Sequence, residues 1–135
     1  MSKRPGVEDP RSVARESALT LLYEAESKGI TPRAVLDAQV ITVEDVVRTL
    51  VLGVMDHRIA IDGLISAHST GWTIERMPAL DRNILRVATF ELLHRADVPT
   101  AVILDEAVEL AKRFSTDDSG RFVNGVLAAI AAEVR

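Results

Sequence analysis

The stretch DEAVELAKRFSTDDSGRFVNGVL, Asp105 to Leu127, couples an amphipathic segment to a polar elbow and then to a second apolar segment. Ile103, Ala107, Leu110, Ala111 and Phe114 recur at helical steps and predict one buried face, while Asp105, Glu109, Lys112 and Arg113 lie mostly on the others. The helix is expected to stop near Ser115. Thr116, Asp117, Asp118 and Ser119 carry side chains that accept from the free N–H groups of a helix start, so a new helix should begin within a residue or two of Asp118. Its core face reads Val123, Val126, Leu127 and Ile130. The pair Asn124-Gly125 is also a hairpin signal. We favour the helix, because the following AAIAAE consists of strong helix formers and no alternating strand elsewhere could pair with such a hairpin. Gly125 then costs about 1 kcal/mol relative to Ala, which suggests a backbone that must approach something closely.

Outward from this stretch the same patterns repeat. Asp9-Pro10 reads as cap and first helical residue, with Ala14, Ala18, Leu21, Leu22 and Ala25 on one face, and the helix should end near Gly29. Thr31-Pro32 begins a short helix to about Ala38, and Thr42-Val43-Glu44-Asp45 has the outline of a capping box. Val46, Val47, Leu50, Val54, Ile61, Leu64, Ile65 and His68 keep helical spacing up to Gly71, a left-handed cap candidate, with His57 to Ala60 a bend candidate. Trp72, the only tryptophan, is expected in a seam between helices, with a cofactor or RNA-stacking role the alternative. Thr73 to Met77 suggests one turn. Pro78 then starts a helix apolar on much of its circumference, from Leu80 to Leu93, which belongs at the centre of a bundle. Asp97-Val98-Pro99 ends it, and Thr100 is the next cap candidate. The sum is all-α, about seven helices with short connections.

With 135 residues the chain suits one domain, residues 9–135, preceded by a flexible basic arm over residues 1–8. Although 47% of residues are hydrophobic, no apolar run approaches the ~20 residues of a membrane span, and no signal-peptide core follows the charged start. The absence of cysteine excludes disulfides and thiolate metal sites and agrees with a cytoplasmic location. His57, His68 and His94 have no metal-ligand spacing, and neighbouring carboxylates such as Asp105-Glu106 diverge by about 100° on a helix. No phosphate-binding loop, dinucleotide turn or nucleophile elbow is present, so the reading is of a non-enzyme without a cofactor. The net charge of −4 opposes a general affinity for nucleic acid, yet Lys3, Arg4, Arg11 and Arg15 outnumber the acids among the first fifteen residues.

The segment from Asp105 to Leu127 closely resembles the C-terminal signature of the bacterial NusB family of transcription antitermination factors. LDRNILRVATFELLHRADVP, Leu80 to Pro99, is similar to the family's preceding helix and its exit, and ARESALTLLYEAE, Ala14 to Glu26, to its first helix. The resemblance covers roughly the whole chain and is strongest from Gly71 onward. It implies the NusB fold of two three-helix halves around a shared core. It also implies a factor that pairs with the small-subunit ribosomal protein NusE, binds single-stranded boxA RNA of nascent rRNA transcripts, and joins an RNA polymerase complex with other Nus factors.

Under that resemblance Arg11 and Arg15 match the arginine-rich amino-terminal motif, with Lys3 and Arg4 ahead of it. Their four-residue spacing places Arg11 and Arg15 on one helix face, so replacing both by Ala should cut RNA binding without changing the melting temperature. Ser12 and Val13 stand where relatives carry further basic residues, which thins the motif. Arg82, Arg121 and Phe122 extend the expected RNA path, and Glu75, Asp81 and Asp118 are the expected partner contacts. For Asp118 a cap role, and for Phe122 core packing, remain alternatives. A factor that carries or sequesters NusE with little RNA binding of its own is the second functional reading. Self-association through the RNA or partner surface is left open.

Overall fold

The computed structural model describes residues 10–135. Lys3, Arg4 and the expected arm over residues 1–8 lie outside the described residues.

Seven α-helices and one 3-10 turn, with no strand among the described residues, follow in the order α1 Pro10–Lys28, α2 Pro32–Asp37, α3 Asp45–Asp56, α4 Arg58–His68, the turn Ile74–Arg76, α5 Ala79–His94, α6 Thr100–Phe114 and α7 Asp117–Val134. Gly29 takes φ +67, and the N–H of Ile30 reaches back to Ala25 O at 3.0 Å, a left-handed stop that suits a residue without Cβ. Thr31 caps α2 by accepting from the Ala34 N–H at 3.1 Å. The capping box expected at Thr42 does not form: Glu44 occupies the cap of α3 and makes no side-chain bond. Likewise Pro99, not Thr100, caps α6, and Thr100 is its first residue.

The long helix suggested between Asp45 and Gly71 is two helices. His57 closes α3 with its N–H on Gly53 O at 3.0 Å and, at φ −110° and ψ 21°, turns the chain into α4. The break lets both pieces lie on α5. Gly71, at φ +82, sits beyond the α4 end and turns the loop that follows.

Helices α1, α2 and α3 pack on one another, as do α5, α6 and α7, while α4 bridges α5 and α7. Helix α5 meets α1, α3, α4, α6 and α7, and every residue from Asn83 to Leu92 is buried. Five polar residues are therefore enclosed with it: Asp81, Asn83, Arg86, Thr89 and Glu91. Most are matched to a partner. Arg86 donates twice to Asp62 of α4, at 2.8 and 3.0 Å, and Asn83 donates to Glu26 of α1 at 3.1 Å. At the far end of α5, the Arg135 guanidinium donates to the carbonyls of Glu91, Leu92 and Arg95 and to Val98 O at 2.7 Å. It thereby satisfies acceptors left over at a helix C-terminus.

Within the chain the close approach is at Gly53 and not at Gly125. No atom lies within 4 Å of where a Gly125 Cβ would stand, whereas a Cβ on Gly53 would meet the Phe90 ring at 2.3 Å. Helix α3 crosses α5 on Gly53.

Candidate nucleic-acid and partner surface

Helix α1 carries the two expected arginines on different environments. Arg11 is exposed. Arg15 is 4% exposed, and its Nε and Nη2 donate to the two carboxylate oxygens of Glu91, itself buried, at 2.8 and 3.0 Å. Buried and held by Glu91, the guanidinium ties α1 to α5 and does not face solvent. A 100° step per residue puts Arg11 and Arg15 about 40° apart, enough to carry one past the edge of the buried face. The expected two-arginine clamp is thereby reduced to Arg11. Ser12 is buried as well, so of the two positions where the motif is thinned only Val13 faces outward.

The α6–α7 elbow is built by short polar side chains. Thr116, not Asp118, caps α7: its Oγ1 accepts from the Ser119 N–H at 3.0 Å, and Ser119 Oγ lies 2.8 Å from Ser115 Oγ. Asp117 and Asp118 fall in the first turn, where a carboxylate is favoured by the helix dipole. Asp118 is exposed and pairs with Arg121 three residues on, itself 74% exposed. Phe114, expected on the core face of α6, is exposed, with the Arg113 guanidinium 4.8 Å over its ring. It is the last residue of its helix, where the bundle no longer covers that face. Arg113 also reaches Glu16 of α1 at 3.3 Å, which brings the elbow beside the start of α1.

Phe122 is half-buried and rests on the hydrophobic core, so stacking and packing are both available to it. Its ring centroid lies 6.0 Å from that of Trp72 at 49°. Trp72 does not fill a seam between helices: it is 49% exposed, presented by the loop after α4. Nothing in the local sequence marks that exposure, because it depends on where α7 runs.

The residues expected near the start of α5 separate in the same way. Glu75 is exposed in the 3-10 turn. Asp81, expected to meet the partner, is 3% exposed in the first turn of α5. Arg82 is mostly buried, donates to the carbonyls of Ile74 and Met77 at 3.2 and 2.9 Å, and pairs with Glu26 at 2.5 Å. It fixes the turn against α1 and α5. A cleft of about 280 Å³ opens beside it, lined by Arg58, Arg82 and Arg86 but also by Glu26, Asp62 and Glu75, so its charges largely cancel.

Among the described residues no three His, Asp or Glu side chains converge as a metal site, and no helix is long and apolar enough to cross a membrane. The His57 and His94 rings stack at 4.1 Å beside Phe90. His94 is largely exposed; the partial desolvation of its ring, and then the neighbouring His57, hold it below the usual imidazole pKa.

Solved structures share this architecture. NusB from T. maritima is 34% identical with a TM-score of 0.83, covering 94% of each chain. NusB from Aquifex aeolicus is 31% identical with a TM-score of 0.72, over 90% of this chain and 87% of that one. A crystal structure of the antitermination factors NusB and NusE in complex with dsRNA contains a chain 29% identical with a TM-score of 0.77, over 91% of this chain and 96% of that one. The NusB family model matches residues 12–132, nearly the whole described bundle, and this protein belongs to the NusB family.

Proposed function

We propose that this protein is a transcription antitermination factor that pairs with NusE and binds boxA RNA of nascent rRNA transcripts, working by recognition and not by catalysis. The observation that carries the reading is the match along nine-tenths of the chain to a NusB seen together with NusE and RNA. The surface is consistent with it. Arg11 at the start of α1, Arg113 with Phe114 at the elbow, and Arg121 with Phe122 on α7 are cations and rings of the kind that hold phosphates and stack bases. Of the three acids expected to meet the partner, Glu75 and Asp118 are exposed, Asp118 in a surface pair with Arg121. Lys3 and Arg4 would add phosphate contacts, and Arg15 would act only by holding α1 in place. The setting of this work is a complex with RNA polymerase and other Nus factors in the cytoplasm.

One observation favours a second reading, in which the protein carries or sequesters NusE with little RNA affinity of its own. With Arg15 committed to Glu91, a net charge of −4 is offset on the described part of α1's outer face by Arg11 and little else. Fluorescence anisotropy of a labelled boxA RNA, titrated with the protein alone and with equimolar NusE at two salt concentrations, separates the two. Sequence-dependent binding strengthened by NusE supports the antitermination factor. Capture of NusE without RNA binding in either case supports the carrier.

A further inference from the structure

We propose that Trp72 and Phe122 together form a stacking platform for a base of single-stranded RNA, with Trp72 as the outer ring. The inference rests on the RNA-binding reading above and extends it to a residue from a different part of the chain.

A half-exposed indole is unusual for the largest apolar side chain in a molecule that buries thirty-odd others in one core cluster. Here the backbone holds it outside. The Trp72 N–H donates to Ser69 O at 3.3 Å, the buried Ser69 donates its hydroxyl to Trp72 O at 3.1 Å, and Gly71 at φ +82 makes the turn between them. Both polar backbone atoms of Trp72 are therefore engaged. On the other side Phe122 is anchored on the core and supports one side of the indole.

The geometry selects the mode. At 6.0 Å and 49° the two rings leave no parallel slot, so a base cannot insert between them and must stack on the exposed part of Trp72. A half-exposed indole braced by a second ring suits a planar ring better than a branched aliphatic chain, and every base offers such a ring. Arg76, four residues on in the 3-10 turn, and Arg121, adjacent to Phe122, are exposed cations for the flanking phosphates. Asp118 holds Arg121 only in an exposed pair, which is weak in water and can be exchanged for a phosphate. Glu75, Asp117 and Asp118 offset much of this positive charge. The platform should therefore contribute by stacking, with little dependence on salt.

Because Trp72 is the only tryptophan, its fluorescence reports on this site alone. Titration of the full chain with boxA RNA, with and without NusE, should quench that fluorescence in step with the anisotropy of the labelled RNA. Trp72→Ala should weaken RNA binding by about tenfold at both salt concentrations, while Trp72→Phe retains most of the affinity. Binding by anisotropy with no quenching, and with Trp72→Ala unchanged in affinity, overturns the platform and leaves the RNA-binding reading standing. Absence of RNA binding under all conditions overturns both. Quenching by NusE alone, with a Trp72→Ala defect confined to NusE capture, assigns the ring to the protein interface and also overturns the platform. Quenching is read on the unaltered protein, so a folding defect in either variant does not obscure the outcome.

Discussion

Removing the Arg15 side chain leaves Glu91 as a buried carboxylate with its main partner gone, and removing one member of such a pair costs about 3–5 kcal/mol. Chemical denaturation of Arg15→Ala should therefore show a large loss of stability, and Arg15→Met with Glu91→Leu should restore most of it. A melting curve for Arg15→Ala matching the unaltered protein would return Arg15 to the surface and to RNA. Two glycines make an opposite pair. Gly53→Ala drives a methyl into the Phe90 ring and should cost about 1–3 kcal/mol, partly relieved by Phe90→Leu. Gly125→Ala enters open space on a helix and should stabilise by about 0.5–1 kcal/mol. The local sequence cannot separate these cases, since both glycines sit inside helical patterns and only the neighbour across α3 and α5 distinguishes them.

At the scale of elements, α7 depends on a cap that its own sequence advertises. Thr116→Ala removes the acceptor for the Ser119 N–H and should cost about 1 kcal/mol, read by thermal or chemical unfolding. Asp118→Ala should leave stability nearly unchanged, because Asp118 is exposed and caps nothing. The α3–α4 break brings a different dependence. His94, though largely exposed, has its pKa lowered in the folded protein, first by partial desolvation of its ring and then by the stacked His57, so folding modestly favours its neutral form. The unfolded chain then binds the proton more readily. Stability from this group is complete above the unfolded pKa of 6.5 and is lost as pH falls through and below it. His94→Gln should flatten the change in stability between pH 7.5 and pH 5 relative to the unaltered protein; superimposable profiles would remove His94 from the pH response.

Across the whole molecule, charge sets what binding can look like. An acidic chain whose cations sit at the amino end, the elbow and the start of α7 should bind RNA with a shallow salt dependence of a few phosphate contacts, and NusE should increase affinity more than salt decreases it. The slope of log affinity against log salt tests this, and a steep slope would require basic contacts beyond those exposed here. The sequence by itself determined the element types and most of their ends, because helical periodicity, proline, glycine and short polar caps act within a few residues: the Thr31 cap, the Gly29 stop and the apolar circumference of α5 were all legible there. The family was legible there too, since Ala14–Glu26, Leu80–Pro99 and Asp105–Leu127 follow in the family's order. Which side chains remain available depends on how the helices pack. Arg15 and Asp81 went inside because α5 is covered on every side. Trp72 and Phe114 stayed out because the loop and the helix end that carry them lie past the edge of the bundle. Burial is set by neighbours distant in the chain, and no local pattern of polar and apolar residues specifies where those neighbours stop.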